Sequence, residues 1–173
     1  MAAGFLNSFI RHADCVKIAN IAQIVNVIAP IITKGDDILI QSIYHAFEMF
    51  SKRREGVALR TAVEGPSYQG ARNGQVHYLD CSAILDEGRL KVFATNRSQD
   101  EEMDLTIEVA DRSISASESA ELLTGPNPKA ANSFDAPDVI RPEGFEGIEV
   151  RGGRARASLP PLSLLAATLE LES

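Results

Sequence analysis

The stretch Cys15-Val-Lys-Ile-Ala-Asn-Ile-Ala-Gln-Ile-Val25 is apolar at most positions on both faces that a strand would present. Strands of a parallel sheet read this way, because crossover helices cover both sides. Upstream, Phe5, Leu6, Phe9, Ile10 and Ala13 recur at spacings of one and three, which predicts an amphipathic helix over about Ala2 to Ala13. Downstream, Ile43, Phe47 and Phe50 mark a second helix, with basic Lys52, Arg53 and Arg54 expected in its last turn and Gly56 beyond it. Helix, buried strand and helix in that order form the rhythm of an α/β barrel or a layered α/β sheet. A single strand cannot cover its own two edges, so neighbours from outside this segment are expected.

Beyond Gly56 the period changes from 3.6 to 2. Met103, Leu105, Ile107 and Val109 alternate with Asp104, Thr106 and Glu108, as in a strand with one face on a core and one in water. Arg89 to Asn96, Glu118 to Leu123, Ile148 to Val150, Arg154 to Leu159 and Leu164 to Leu171 are further expected strands. Turn signals such as Asp86-Glu-Gly and Gly152-Gly153 separate them. Short strands with frequent turns predict a β-sandwich.

Composition divides the chain at the same place. Residues 1–56 carry six Lys/Arg and five Asp/Glu, whereas residues 57–173 carry eleven and nineteen and hold seven of the eight prolines. Two parts are therefore expected, 1–56 and 57–173. The net charge of −7 argues against a nucleic-acid partner, which a basic surplus would serve. The longest greasy stretch, Ile18 to Ile32, carries Asn20, Gln23, Asn26 and Pro30 and falls short of the ~18 apolar residues of a membrane span. The amino terminus shows no secretory signal pattern, so the cytoplasm is the expected compartment. Cys15 and Cys81, far apart and without a CxxC partner, suit free thiols, with a single bridge as the alternative.

Particular runs carry a family resemblance. Ala3-Gly-Phe-Leu-Asn-Ser-Phe-Ile-Arg-His-Ala-Asp and Val16-Lys-Ile-Ala-Asn-Ile-Ala-Gln-Ile-Val-Asn-Val-Ile-Ala-Pro-Ile are followed by Gly56-Val-Ala-Leu-Arg, Tyr78-Leu-Asp-Cys-Ser-Ala, Phe93-Ala-Thr-Asn-Arg, Leu123-Thr-Gly-Pro and Asn132-Ser-Phe-Asp-Ala-Pro. Together they closely resemble the carboxyl-terminal end of the α-L-arabinofuranosidases of glycoside hydrolase family 51. The resemblance implies an α+β chain in two parts: residues 1–56 as the terminal helix-strand-helix segment of a (β/α)8 barrel, and residues 57–173 as a β-sandwich of jelly-roll type. It also implies a retaining glycosidase that removes terminal α-L-arabinofuranosyl groups from arabinan, arabinoxylan or arabino-oligosaccharides. Such chemistry needs two carboxyl groups about 5–5.5 Å apart. In the family both are glutamates on earlier barrel strands, so the expected partner is the missing barrel segment or a homo-oligomer, and no catalytic residue is assigned here.

The same resemblance marks Gln23 as a sugar-binding residue at the active-site end of the last barrel strand. Its amide has two donors and one acceptor, which suit a pair of furanose hydroxyls. The alternative is that Gln23 and Asn26 satisfy backbone groups of the following loop; Asn20 is a weaker candidate. Glu48, Asp14, Asp86-Glu and Asp100-Glu-Glu offer no acid/base pair, the last two lying in expected turns. His12, His45 and His77 lack metal-ligand spacing, and no cofactor is called for. Arg151, Arg154 and Arg156 fit a solvated strand face, and Gly125-Pro126 a turn. Two other functions are open: a carbohydrate-binding module and an assembly domain. The first ranks last, because the second part has no Trp and only Tyr68, Tyr78, Phe93, Phe134 and Phe145 to build an aromatic platform.

Overall fold

The computed structural model describes residues 1–72 and 74–172. Its largest sheet has six strands in the order β10 (Pro142–Gly144), β9 (Ile114–Leu123), β13 (Ser163–Leu171), β7 (Arg89–Asn96), β6 (Leu79–Asp86) and β3 (Val57–Leu59). All neighbouring pairs in it are antiparallel. A smaller sheet orders β11 (Glu149–Arg151), β12 (Arg154–Leu159) and β8 (Met103–Ile107). Two hairpins stand apart, β1 (Ile31–Lys34) with β2 (Asp37–Ile40) and β4 (Ser67–Gly70) with β5 (Gly74–His77). The helices are α1 (Ala2–Arg11) and α2 (Ser42–Ser51).

Side-chain alternation along the central strands feeds two cores. Leu90, Val92 and Ala94 of β7 and Leu165, Ala167 and Leu169 of β13 pack with Met103 and Leu105 of β8 and Ala155, Ala157 and Leu159 of β12. This is the sandwich core. Phe93, Ile84, Leu164 and Ala166 project to the opposite side, where Ala3, Leu6, Ala46, Met49 and Phe50 of the two helices cover them. The rings of Phe50 and Phe93 stack with centroids 4.0 Å apart and planes 9° from parallel. The large sheet is thus buried on both faces, in a helix layer, a six-stranded sheet and a three-stranded sheet. Ala94, Ala166 and Ala167 are fully buried at its centre, where short side chains let the flanking layers approach closely.

The strands Arg89–Asn96 and Arg154–Leu159 fall where alternation places them. Their turns follow from backbone chemistry. Asp86 pairs with Arg89 and Arg151 with Arg154, leaving two-residue loops with φ of 46° and 85° at Glu87 and Gly88, and 60° and 76° at Gly152 and Gly153. Positive φ at both central positions matches the right-handed twist of the flanking strands.

Two expectations are corrected. The stretch Cys15–Val25 is no strand: His12–Cys15 form a turn, Val16–Ile24 have no regular structure, and Val25 makes only an isolated parallel bridge to Ile31. A doubly covered parallel strand needs backbone partners on both edges and side-chain cover on both faces. The described residues supply neither, and Ile18, Ile24, Val25, Val27 and Ile28 are all exposed. Nor do Lys52, Arg53 and Arg54 lie in the last turn of α2, which ends at Ser51 with Lys52 as its cap. Arg53 instead turns inward to meet Glu121 of β9 at 2.6 Å.

Candidate functional site

The irregular segment between α1 and β1 carries the sequence-derived candidate. Gln23 is exposed and has φ 55°; Asn26 and Val27 follow at 63° and 61°. Asparagine tolerates this left-handed region, but for a β-branched valine it is a strained conformation. Asn26 is held from both sides. Its backbone N–H donates to the Ile31 carbonyl at 2.7 Å, and its Oδ1 accepts the backbone N–H of Thr33 at 2.7 Å. Asn26 therefore takes the loop-satisfying role, whereas the Gln23 side chain stands in solvent. Asn20 is exposed as well. Neither residue lies in a strand.

One polar cluster escaped the sequence reading. Asp80 of β6 lies under α1 with its side chain 10% exposed, and its two carboxylate oxygens meet Arg11 Nη1 and Arg97 Nη2, each at 2.9 Å. Asn7, fully buried on α1, donates to both the Asp80 side chain and its carbonyl at 3.1 Å and accepts from Ser82 Oγ at 2.7 Å. Thr95 Oγ1 donates to the same Asp80 carbonyl. Every polar atom of Asn7 is thereby engaged inside an apolar layer, where an unpaired one would be costly. The cluster fixes α1 to the sheet; its sequence signal is the pair of polar residues Asp80 and Ser82 on the face of β6 that also carries Ile84.

The other chemically capable groups do not converge. Glu48 pairs with Lys52 at 3.2 Å, and Asp86 with Lys91 at 2.7 Å. Asp14 and Asp100 through Glu102 are exposed. Among the described residues no three His, Cys, Asp or Glu side chains gather into a metal-ligating group. Both cysteines are free. Burial pushes the Cys81 thiol up to about 12, and the neighbouring Asp80 charge adds to the rise against the opposing pull of Arg11 and Arg97. It is therefore a neutral, unreactive thiol at ordinary pH. Arg154 pairs with Glu108 at 3.2 Å, and register sets Arg156 opposite Glu149. An open groove of about 670 Å³ lies at the Pro160-Pro161 end of the sandwich, lined by Gln99, Asn127, Arg141, Glu143 and Phe145 among others. A single phenyl ring in that lining is a poor platform for stacking a sugar.

Comparison with known proteins now bears on these features. Residues 1–163 match the family described as the alpha-L-arabinofuranosidase C-terminal domain. The intracellular exo-alpha-(1->5)-L-arabinofuranosidase of Streptomyces lividans is 34% identical over 91% of this chain and 24% of its own length. The intracellular exo-alpha-(1->5)-L-arabinofuranosidase 1 of Bacillus subtilis (strain 168) is 30% identical over all of this chain and 35% of its own length. The crystal structure of the GH51 arabinofuranosidase from Xanthomonas axonopodis pv. citri superposes with a TM-score of 0.88 at 27% identity, over 98% of this chain and 34% of that one. The chain spans about a quarter to a third of the length of these relatives.

Proposed function

Because the chain belongs to the alpha-L-arabinofuranosidase C-terminal domain family, we propose that it is the carboxyl-terminal portion of a retaining exo-α-L-arabinofuranosidase. The substrates are terminal arabinofuranosyl groups of arabinan, arabinoxylan or arabino-oligosaccharides, and the working compartment is the cytoplasm, a reading supported by relatives whose names call them intracellular. On this reading residues 1–56 close a (β/α)8 barrel whose earlier strands carry both glutamates, and residues 57–173 are the jelly-roll sandwich packed beside it. The 173 residues by themselves do not hydrolyse arabinofuranosides.

The observation that carries this reading is the uncovered segment Ile18–Ile28. Five large aliphatic side chains, Ile18, Ile24, Val25, Val27 and Ile28, lie 49% to 80% exposed within eleven residues, against the habit of a stable surface. The likeness to the Xanthomonas structure runs over 98% of the chain and therefore takes in this segment. Docked against the preceding barrel strands, Ile18–Ala22 gains the cover and edge partners that its pattern describes, and Gln23, in the left-handed backbone just past it, comes to the mouth of the barrel with its amide free for sugar hydroxyls.

The test is to join the chain to an upstream barrel segment carrying the two glutamates and to assay an aryl α-L-arabinofuranoside. Turnover is expected from the joined protein and not from residues 1–173. Gln23→Ala in the joined protein should lower kcat/KM about 5- to 150-fold without unfolding it, the cost of one or two hydrogen bonds to neutral hydroxyls. Turnover by the isolated chain, or an indifferent Gln23, refutes the corresponding part of the proposal.

A further inference from the structure

The connection from β9 to β10, residues 124–141, is long for a loop without helix or paired strands of its own, and loops longer than about 12–15 residues usually have a task. It reaches out of the sandwich to the β1–β2 hairpin, and the contact is specific. Asn132 is 5% exposed, and all of its side-chain hydrogen-bonding capacity toward the protein is directional: Nδ2 donates to the carbonyls of Ile40 and Ile140, each at 2.9 Å, and Oδ1 accepts the Ile140 N–H at 2.8 Å. Gln41 Nε2 returns a bond to the Asn132 carbonyl at 3.3 Å. At the hairpin tip, Lys34 Nζ sits 5.8 Å from the centroid of the Phe134 ring, within cation–π range.

The hairpin in turn grips the segment that bears Gln23. The Gln41 N–H closes its base on the Pro30 carbonyl at 2.8 Å, Val25 bridges Ile31, and Asn26 and Thr33 exchange bonds, Asn26 Nδ2 donating to Thr33 Oγ1 at 3.1 Å and Asn26 Oδ1 accepting the Thr33 N–H at 2.7 Å. An unbroken line of hydrogen bonds thus runs from a loop of the sandwich to a residue three positions after Gln23. Left-handed backbone at Gln23, Asn26 and Val27 is a conformation that relaxes unless its surroundings hold it.

We propose that Asn132 is a positioning residue: by latching the sandwich loop 124–141 to the β1–β2 hairpin, it sets the conformation of Gln23 and so lets the sandwich act on arabinofuranose binding. This rests on the assignment of Gln23 to the sugar. A flexible sandwich loop would leave the hairpin hinged at its ends and the glutamine averaged over several directions, which weakens binding before it alters the chemical step.

The experiment has two arms, so that failure of the latch and failure of the Gln23 assignment can be told apart. In residues 1–173, amide exchange is measured for the parent, Asn132→Ala, Gln41→Met and Asn26→Gly. Asn132→Ala should speed exchange at Asn26, Thr33 and Gln41 by about tenfold or more while β7 and β13 keep their protection, as expected for a local opening. Gln41→Met, which leaves Asn132 in place, decides the matter should Asn132→Ala fail to fold; it should speed exchange at the Asn26 and Thr33 amides by about threefold. Asn26→Gly accepts the positive φ and should release Thr33 but not Ile140. Unchanged exchange at Asn26 and Thr33 in the folded latch variants overturns the proposal. In the joined enzyme, Asn132→Ala should raise KM about fivefold or more with kcat within about twofold. If exchange responds but neither Asn132→Ala nor Gln23→Ala moves KM, the Gln23 assignment has failed and the positioning role falls with it.

Discussion

Helix α1 and the segment that follows it are both rich in apolar side chains and end up in opposite environments. Leu6 is 6% exposed and Ala3 9%, because the stripe they belong to lies on Phe93 and Ile84 of the large sheet; Ile18 and Val27, only a few residues later, are 75% and 80% exposed. The difference is one of partners. A helix satisfies its own backbone and needs only a surface for its apolar side, which β6, β7 and β13 provide. A parallel strand needs hydrogen-bonding neighbours as well as cover, and no element among the described residues offers them.

The strongest way to break this contrast is at the covered side. Phe93→Ala deletes the ring that stacks on Phe50 and should cost about 3–5 kcal/mol of unfolding free energy, with α2 and the sheet melting together in denaturant. A cost below about 1 kcal/mol would mean that the helix layer is loosely attached.

Alkaline pH probes the same interface through Cys81. Its folded pKa is raised to about 12 from the ordinary 9.0, so the unfolded chain loses the proton first. Stability from this thiol is complete below about pH 9 and falls as pH rises toward 12, at up to about 1.4 kcal/mol per pH unit. The slope should flatten in Cys81→Ala. Thiol labelling of the native protein should find one fast group, exposed Cys15, and one silent group, Cys81. Two fast thiols would show α1 lifting from β6.

Asp80→Ala comes next, at about 2–3 kcal/mol, since it removes charged hydrogen bonds and leaves Asn7 underpartnered inside the layer, whereas Arg11 and Arg97 can turn to water. Chemical denaturation reads the loss directly. The smallest effect is expected in the uncovered segment: Ile18→Ser should change the stability of the 173-residue chain by less than about 0.5 kcal/mol and lower its tendency to associate. A loss above about 1 kcal/mol there would show that Ile18 is already packed in solution.

Legibility followed the same division. The six-stranded sheet was partly visible in the alternation of Arg89–Asn96 and in the two-residue turn at Glu87-Gly88, both local features. That Phe93 faces helices while Val92 and Ala94 face a second sheet was not visible, because a strand buried on both sides and one buried on a single side differ only in what lies beyond them. The β1–β2 hairpin was missed for a related reason: Ile31–Lys34 continues the apolar run before it, and only the Gly35 turn hints at a reversal. At the candidate site, Gln23 was singled out by family likeness and Asn26 by its polarity, but the side-chain latch of Asn132 on Ile40 joins residues 92 positions apart.

By itself the amino-acid sequence determined helix periodicity, strand alternation, the tight turns and the family, since each of these depends on neighbours within a few residues or on the order of short motifs. Tertiary structure decided which apolar faces found cover, how Asp80 and Asn7 are paired under α1, and that Cys15–Val25 forms no strand beyond the single bridge of Val25 to Ile31. The physical reason is that covering an apolar face and satisfying a strand edge are properties of pairs of elements, and a sequence specifies only one member of each pair at a time.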